Sequence, residues 1–349
     1  MKKATVFGGG AFGTALAFML AKNGFAVSLW HPNQAECDAA NAAGENLHGL
    51  KGAKFPEFGG RRALHFSSDL ETCISNAPEV VIFAVPMQRL RKFVVDRRDR
   101  MCATLQSAKI AVIACKGIEK GTSKLAYTVL EEAVGDVGLV RARAVVIAGP
   151  TFARELAEFK PTSFTVAAHD ATLARTAQRL LSTADGQFRG YASTDVIAVE
   201  VASAVKNVVA IAAGMVDGMG YGRNARAAVI TQGLYEIALV SRTMGGVFGG
   251  VLTMAGVGDV MLTASSKLSR NFQVGRELAQ GVDLKAAKKN RNAVSEGVPT
   301  CEAVVQLGRK LGLTLPLCEA VYSVLKVEKT PQQALAAIRG LDSAPLCDE

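Results

Sequence analysis

The chain has 349 residues, more than a single hydrophobic core usually supports, so we expect two domains. Hydrophobic residues make up 49% of it and charged residues 20%, a balance that excludes a largely disordered protein. The net charge of +9 includes only two dense basic runs, 89–100 and 285–291, with little aromatic interleaving. We therefore expect no nucleic-acid partner, although anionic small ligands suit this charge.

We do not expect a metal site, export from the cell or a transmembrane segment for this chain. Its seven cysteines form no CxxC pair and its four histidines lack zinc-ligand spacing, which indicates reduced thiols and no metal site. The N-terminal residues lack the apolar region of a signal peptide, so we do not expect export. The most apolar stretch, 196–216, contains Glu200, Lys206 and Asn207, which are costly in a bilayer, so we expect no transmembrane segment.

Apolar runs alternate with helical segments through the first half of the chain. The first run, Ala4–Phe7, enters a glycine-rich turn; a helical segment follows, and the second run, Phe25–Trp30, completes a strand–helix–strand unit. Three further strand-like runs and two weaker candidates follow, at 80–85, 110–115, 144–148, 163–167 and 187–191. This alternation predicts an α/β fold with a doubly wound parallel sheet.

The pattern changes near Ala192, after which the periodic segments are helical and strand-like runs disappear. We therefore predict a sheet domain over 1–191 and an all-helical domain over 192–349. Residues 342–349 have the composition of a loose tail.

The first turn carries glycines in GxGxxG register. Gly8 suits the tight turn, Gly10 lets the backbone approach a pyrophosphate, and Gly13 permits close helix packing. The helix that follows offers free N–H groups and a partial positive charge to a phosphate. Because a strand precedes the turn and a second strand follows at the right distance, we predict dinucleotide binding here.

The choice between NAD and NADP stays open at this point. The end of the second strand reads Leu29–Asn33 and contains no acid to bind the ribose 2′-hydroxyl of NAD. His31 or a nearby basic side chain could instead accept the 2′-phosphate of NADP.

A polar stripe runs along the apolar helix predicted from residue 194 to about 216. It comprises Glu200, Ser203, Lys206 and Asn207, which share one arc of the helix. Spacing alone favours a solvent-exposed face. If Lys206 is buried among its apolar neighbours, however, its pKa falls toward a range useful for acid–base chemistry.

A second polar stripe follows Gly258. Asp259 and Thr263 are spaced i, i+4 and share a helix face, whereas an unbroken helix would carry Arg270 about 16 Å from Asp259. If both serve one small molecule, the helix must break, and the residues suited to that turn are Ser265, Ser266 and Ser269.

Nine ordered blocks across the chain closely resemble NAD(P)-dependent glycerol-3-phosphate dehydrogenases, in particular those of bacteria and kinetoplastids. The blocks are GGGAFGTALA, FAVPMQRLR, ACKGIEKGT, AGPTFARE, VASAVKNVVAIAAG, NARAA, GVGDVMLT, SRNFQVG and SEGVPT. The resemblance implies a Rossmann-type NAD(P)-binding domain, a helical substrate domain, and interconversion of sn-glycerol 3-phosphate and dihydroxyacetone phosphate.

The resemblance also implies roles for individual residues. Lys206 matches the family's general acid and base, with Asp259 and Lys116 beside it, and Arg270 and Asn271 match the phosphate grip. The other residues that line the substrate site are Gly149, Thr151, Thr263 and Ser269. Residues that match cofactor contacts beside the glycines are Ala11, Phe12, Phe83, Lys116, Ala153, Arg270, Val294 and Glu296. Ala11 replaces a serine common in bacterial relatives, so it contributes only its backbone N–H.

A homodimer is the oligomeric state that the resemblance implies. Because the chain ends without a Ser-Lys-Leu type signal, we expect a cytoplasmic protein. A peroxisome-like organelle is the alternative if the C-terminus has been trimmed. Two other functions stay open. One is a related two-domain dehydrogenase of hydroxy acids, and the other is a dinucleotide-sensing protein that has lost turnover.

Overall fold

The computed structural model describes residues 2–58, 60–75, 77–289 and 295–339. The chain divides into two compact units, one of Met1–Cys115 with Ala126–Val196 and the other of Lys116–Leu125 with Ile197–Glu349. The short segment Lys116–Leu125 is therefore part of the second unit, although its sequence neighbours on both sides belong to the first.

The first unit contains a large twisted sheet and a small hairpin. Its strands are β1 (Lys2–Phe7), β2 (Phe25–Trp30), β3 (Glu57–Phe58), β4 (Arg61–Arg62), β5 (Leu64–Ser67), β6 (Val80–Phe83), β7 (Ile110–Ile113), β8 (Ala144–Ala148), β9 (Thr162–Ala167) and β10 (Phe188–Ser193). Within the described residues, eight strands form the sheet in the order β10-β9-β8-β7-β6-β1-β2-β5, and β3 pairs with β4 in the hairpin.

The predicted doubly wound sheet is confirmed, but it is not parallel throughout. Strands β5, β2, β1, β6, β7 and β8 run in one direction, whereas β9 pairs antiparallel with β8 and β10 then pairs parallel with β9. The predicted parallel arrangement therefore holds for β1, β2, β6, β7 and β8, and the two weaker candidates extend the sheet with β9 antiparallel to β8. Buried strands read as apolar runs in either direction, so the sequence pattern does not reveal their polarity.

Helices flank the sheet, as connections between parallel strands require. They are α1 (Ala11–Lys22), α2 (Gln34–Ala43), α3 (Leu70–Ile74), α4 (Met87–Val95), α5 (Arg98–Ser107), α6 (Ala126–Val134), α7 (Val137–Arg143), α8 (Ala153–Ala157) and α9 (Ala171–Leu181). Apolar residues of α1 and of the sheet form one buried core. Because α1 is anchored in this core, the glycine turn at its N-terminus is held on a rigid element.

Apart from the segment Lys116–Leu125, the regular elements that the structure describes in the second unit are helices, as predicted. They are α10 (Val196–Gly218), α11 (Arg223–Thr243), α12 (Phe248–Val251), a π-helical turn (Met254–Gly258), α13 (Asp259–Ser265), α14 (Arg270–Ala279), α15 (Leu284–Lys289), α16 (Gly297–Leu311), α17 (Pro316–Leu325) and α18 (Pro331–Arg339). The predicted break between Asp259 and Arg270 is present, since α13 ends at Ser265 and α14 begins at Arg270.

Two helical stretches are long and apolar enough to span a membrane by length and composition alone. Val196–Gly218 has a mean hydropathy of 1.9, and 94% of its most apolar window is buried inside the structure, as in a core helix. Phe248–Ser265 has a mean hydropathy of 1.3 and is 44% buried. The expectation that neither crosses a membrane stays a prediction.

Glycines allow α10 and α14 to pack at backbone contact. A Cβ on Gly275 would lie 1.9 Å from the carbonyl oxygen of Ile211, and one on Gly214 would lie 1.9 Å from that of Phe272. Larger side chains at these two positions would push the helices apart. The two glycines therefore set the position of the N-terminal end of α14 against the middle of α10.

Candidate active site

The glycine turn of the first unit has the shape of a dinucleotide phosphate cradle. Gly8 has a φ of +123°, and a Cβ there would lie 2.6 Å from the carbonyl oxygen of Ala84. A Cβ on Gly13 would lie 1.9 Å from the oxygen of Gly8, whereas one on Gly10 would meet nothing within 4 Å. Gly8 and Gly13 are thus needed for internal packing, and Gly10 leaves an open side at the start of α1, where a pyrophosphate fits.

A buried asparagine that sequence reasoning missed holds this turn in place. Asn46 donates from Nδ2 to the oxygen of Gly9 at 2.8 Å and to Oγ1 of Thr14 at 2.7 Å. Its Oδ1 accepts from the N–H of Gly49 at 2.8 Å. No local pattern announces this role, because the partners of Nδ2 lie more than thirty residues away in sequence.

His31, the candidate ligand of a 2′-phosphate, packs directly against the glycine turn. A Cβ on Gly9 would lie 2.9 Å from the Cβ of His31 and 3.0 Å from Phe66. The imidazole Nε2 lies 3.7 Å from the carboxylate of Glu36, in the first turn of α2. The end of β2 contains no acidic residue, but the carboxylate of Glu36 in α2 lies beside it.

The other predicted residues of the first unit lie at helix starts and strand ends. Ala11 opens α1, and Ala153 opens α8. Phe12 is half-buried, but Phe83 is fully buried with its ring on Phe7 at 5.3 Å between centroids. Two of the predicted substrate residues share the loop after β8, where the hydroxyl of Thr151 donates to the carbonyl of Gly149 at 3.0 Å.

The second unit brings four of the predicted side chains into one buried cluster. Nζ of Lys206 lies 2.5 Å from Oδ2 of Asp259 and 3.3 Å from Oγ1 of Thr263. The Thr263 hydroxyl donates to Oδ1 of Asp259 at 3.2 Å, which confirms that these two residues share a face of α13. Nζ of Lys116 lies 3.7 Å from Oδ2 of Asp259. Two ammonium groups thus face one carboxylate.

This environment changes the acidity of the amine. The side chain of Lys206 is only 6% exposed, and that of Asp259 only 2%. Burial lowers the pKa of Lys206 from 10.5 to about 7; Asp259 opposes the shift, and the neighbouring charge of Lys116 adds to it. An amine with this pKa can give and take a proton near neutral pH. The solvent-exposed reading of the α10 stripe is therefore wrong at Lys206.

Lys116 owes its place to the segment that leaves the sheet after β7. Ile118 and Leu125 form an antiparallel bridge and are buried in the core of the second unit. The ammonium of Lys120 also pairs with Glu302 of α16 at 2.9 Å. These contacts fix the base of the segment, from which Lys116 extends to Asp259. Sequence reasoning found Lys116 only through the resemblance.

A second buried network surrounds Asn271. Its Oδ1 accepts from the Ser295 hydroxyl at 2.5 Å and from the N–H of Gly297 at 3.1 Å. Its Nδ2 donates to Oδ1 of Asn207 at 2.9 Å. Because the oxygen of Asn271 is occupied by donors, its amide nitrogen must face Asn207, the residue next to Lys206. The two networks therefore meet on α10.

The remaining predicted residues of this unit surround the start of α14 and of α16. Ser269 is buried and caps α14, where its hydroxyl oxygen accepts from the N–H of Phe272 at 3.3 Å. Arg270 is exposed at the first position of α14. Glu296 is half-buried and precedes α16, whereas Val294 lies outside the described residues.

These features divide the chemistry between the units. The first unit offers backbone donors and an open glycine turn, which fit the pyrophosphate of a dinucleotide. The second offers an amine poised for proton transfer, with amide and guanidinium donors that suit an anionic substrate group. Among the described residues, no group of three or more metal-ligating side chains occurs.

Comparison with known proteins gives consistent matches over both units. The model of the NAD-dependent glycerol-3-phosphate dehydrogenase N-terminus matches residues 3–174, and that of the C-terminus matches residues 195–336. The glycosomal glycerol-3-phosphate dehydrogenase [NAD(+)] of Trypanosoma brucei brucei is 41% identical, with 100% of this chain and 95% of that protein covered. A glycerol-3-phosphate dehydrogenase [NAD(P)+] of Solidesulfovibrio magneticus is 38% identical, with 95% and 96% covered. The crystal structure of glycerol-3-phosphate dehydrogenase from Coxiella burnetii superimposes with a TM-score of 0.87 at 32% identity, with 97% of this chain and 99% of that chain covered.

Proposed function

Because the chain belongs to the NAD-dependent glycerol-3-phosphate dehydrogenase family, it interconverts sn-glycerol 3-phosphate and dihydroxyacetone phosphate with NAD(P), and we propose that Lys206 is the acid and base of that reaction. The observation that carries this assignment is the buried contact of Lys206 with Asp259 at 2.5 Å, together with the lowered pKa of the amine.

The proton transfer follows from the cluster. When dihydroxyacetone phosphate is reduced, negative charge builds on the oxygen at C2, and the ammonium of Lys206 stabilises it and donates the proton. In the oxidative direction the neutral amine accepts that proton. Burial keeps the pKa of the amine low and the charge of Lys116 adds to this effect, while Asp259 orients the amine and offsets its charge. The roles assigned to Asp259, Thr263 and Lys116 are part of this proposal.

The phosphate is proposed to bind at the start of α14. Arg270 supplies a planar fork of charged donors. Asn271 supplies the second N–H of its amide, since the first donates to Asn207 and its Oδ1 accepts from Ser295 and Gly297. The N–H groups at the start of α14 add partial positive charge. Ser269, together with Gly149 and Thr151 of the first unit, completes the proposed set of substrate residues.

The cofactor is proposed to bind along the glycine turn. Gly8, Gly10 and Gly13 shape the turn, the N–H of Ala11 lies at the start of α1, and Phe12, Phe83 and Ala153 complete the contacts expected from this unit. In the second unit the proposed contacts are Lys116, Arg270 and Glu296, with Val294 outside the described residues. The bound nicotinamide supplies or accepts the hydride at C2 of the substrate.

Steady-state kinetics tests the substrate assignment. The purified protein is assayed with dihydroxyacetone phosphate and NADH or NADPH, and with dihydroxyacetone and simple 2-oxo acids as controls. We expect turnover only with the phosphorylated ketone. Turnover of a 2-oxo acid alone would indicate a hydroxy-acid dehydrogenase, and dinucleotide binding without turnover of any substrate would indicate a sensing protein.

Substitution of Arg270 tests the phosphate site. Arg270→Ala removes a charge-assisted contact, so kcat/KM for dihydroxyacetone phosphate should fall roughly 10- to 100-fold. Arg242→Ala, which changes an exposed arginine of α11, is the matched control. An unchanged kcat/KM in Arg270→Ala would remove this residue from the site.

The oligomeric state is proposed from the resemblance. We propose a homodimer, and the exposed apolar side chains Val247, Phe248 and Leu252, each more than 60% exposed, supply a surface that a second copy would cover. Light scattering of the purified protein should give twice the chain mass of 36.6 kDa. A monomer that retains full activity would refute this part of the proposal.

The cellular location is also a proposal. We propose a cytoplasmic protein, with a peroxisome-like organelle as the alternative, because the relatives from Trypanosoma and Leishmania are named glycosomal. Fractionation of the source cells distinguishes the two. Activity that sediments with intact organelles would support the alternative.

A further inference from the structure

The end of β2 carries a small polar cluster beside the glycine turn. Asn33 caps α2, where its Oδ1 accepts from the N–H of Glu36 at 3.3 Å and its Nδ2 donates to Oε1 of Glu36 at 2.9 Å. The other carboxylate oxygen of Glu36 lies 3.7 Å from Nε2 of His31. Since His31 packs on Gly9, this carboxylate lies close to the turn that receives the dinucleotide.

The hydrogen bonds decide which way the imidazole proton points. Nδ1 of His31 accepts from the N–H of Asn33 at 3.4 Å, so in the neutral ring the proton is on Nε2. Nε2 faces Glu36 rather than open solvent. His31 is thereby engaged by a carboxylate, and its own positive charge, when present, is offset by that carboxylate.

Arg97, the arginine that contacts the end of β2, packs on the aromatic rings of Trp30 and Phe93. The guanidinium of Arg97 lies 5.4 Å from the ring centroid of Trp30 and 4.9 Å from that of Phe93, and it donates to the carbonyl of Phe93. Trp30 packs against Phe93 of α4, whereas His31 packs against Gly9. Arg97 is thus held against Trp30 and Phe93 on the α4 side.

We propose that Glu36 is the residue that makes this enzyme prefer NAD(H) to NADP(H), an inference that rests on the cofactor site proposed above. In dinucleotide-binding folds an acid at the end of the second strand accepts from the ribose 2′-hydroxyl and repels a 2′-phosphate. Here the acid comes from the first turn of α2, and its carboxylate is held at the strand end by Asn33 and His31. A neutral 2′-hydroxyl can donate to it, but a phosphate of the same sign cannot approach without cost.

Binding measurements test this proposal independently of turnover. Fluorescence titration with NADH and with NADPH gives a Kd for each, and in the unmodified enzyme we expect NADPH to bind at least about tenfold more weakly. Glu36→Gln keeps the oxygen that accepts from Asn33 but removes the charge, so the ratio of the two Kd values should fall about tenfold. Glu36→Lys places a cation there and should reverse the preference.

Asp38→Asn is the matched control. Asp38 lies on the same helix and is exposed, and its carboxylate accepts from Gln34 at 2.7 Å rather than contacting His31. The ratio of the NADPH and NADH Kd values in Asp38→Asn should equal that of the unmodified enzyme. Equal Kd values for NADH and NADPH before substitution, or a Glu36→Gln ratio that matches the Asp38→Asn ratio, would overturn the inference. If neither dinucleotide binds the unmodified enzyme, the cofactor site itself is wrong.

Discussion

The two units build their halves of the chemistry in opposite ways. The glycine turn of the first unit occupies six consecutive residues, 8–13, and offers mainly backbone groups. The cluster of the second unit combines side chains from α10, α13 and the segment after β7, separated by up to 147 residues between Lys116 and Thr263. A local motif can announce the first kind of site, whereas the second exists only after the chain has folded.

The difference has a physical consequence for substitutions. Backbone donors survive most side-chain changes, and the glycine turn is sensitive only where a Cβ would collide. In the cluster each side chain is also the electrostatic environment of the others, so a single change alters the remaining groups. We therefore expect the largest functional effects in the second unit and smaller ones around the turn.

The largest effect should follow removal of the amine. Lys206→Met keeps the length of the side chain and takes away its proton, so kcat for dihydroxyacetone phosphate reduction should fall by about two to four decades. The Kd of NADH should stay nearly unchanged. Lys329→Met, at an exposed position near the start of α18, should have normal kinetics. Turnover of Lys206→Met close to normal would remove this residue from the chemistry.

The pH dependence should be the next largest effect. Since burial lowers the pKa of Lys206 to about 7, its ammonium form is lost above that pH and its neutral form is lost below it. The kcat/KM of ketone reduction, which reports groups of the free enzyme, should therefore decline above about pH 7, and that of alcohol oxidation should decline below it, each approaching about tenfold per pH unit.

Lys116 sharpens this pH prediction. Its positive charge helps to lower the pKa of Lys206, so Lys116→Met should raise that pKa and move both profiles to higher pH. The pH profiles of ketone reduction and alcohol oxidation, measured between pH 5 and 10 in the unmodified enzyme and in Lys116→Met, test this shift. A variant that is slower but has an unmoved profile would assign Lys116 to substrate binding alone.

The comparison between units also explains what the sequence could reveal. The apolar runs of β1, β2, β6, β7 and β8 were evident because strands buried on both faces are continuously apolar. The short strand β5 and the hairpin β3–β4 escaped notice, since these segments contain charged residues and His65 and show no such run. The direction of β9 depends on its pairing with β8, which no local pattern records.

The site residues divide in the same way. The GxGxxG register predicted the turn without any alignment, and the i, i+4 spacing predicted the contact of Thr263 with Asp259. Burial of Lys206 could not be predicted, because a polar stripe on an apolar helix has the same spacing whether it faces solvent or another helix. Asn46 and Glu36 were missed because their roles depend on contacts formed outside the motif itself.

Breaking the scaffold of the second unit should have an intermediate effect. In Gly275→Ala the new methyl group would meet the carbonyl of Ile211, so α14 must move away from α10 and the free energy of unfolding should fall by about 1–3 kcal/mol. Arg270 and Asn271 lie at the start of α14, so KM for dihydroxyacetone phosphate should rise. Gly222→Ala, where a Cβ meets nothing within 4 Å, is the control. An unchanged KM in a destabilised Gly275→Ala protein would show that this helix contact does not position the phosphate grip.

The smallest effect should come from Asn46, a side chain that supports the glycine turn. Asn46→Ala removes both donors to Gly9 and Thr14, so the turn loosens and the Kd of NADH should rise about three- to tenfold. Asn23→Ala is a matched control, because Asn23 lies at the opposite end of α1, where its Nδ2 donates to the carbonyl of Leu180 at 3.1 Å. Both variants should lower the free energy of unfolding by about 1–2 kcal/mol, measured by urea denaturation, but only Asn46→Ala should weaken NADH binding. If the two variants bind NADH equally well, the turn holds its shape without the side chain of Asn46. The cofactor site of the first unit would then depend on backbone contacts, whereas the cluster of the second unit depends on side chains.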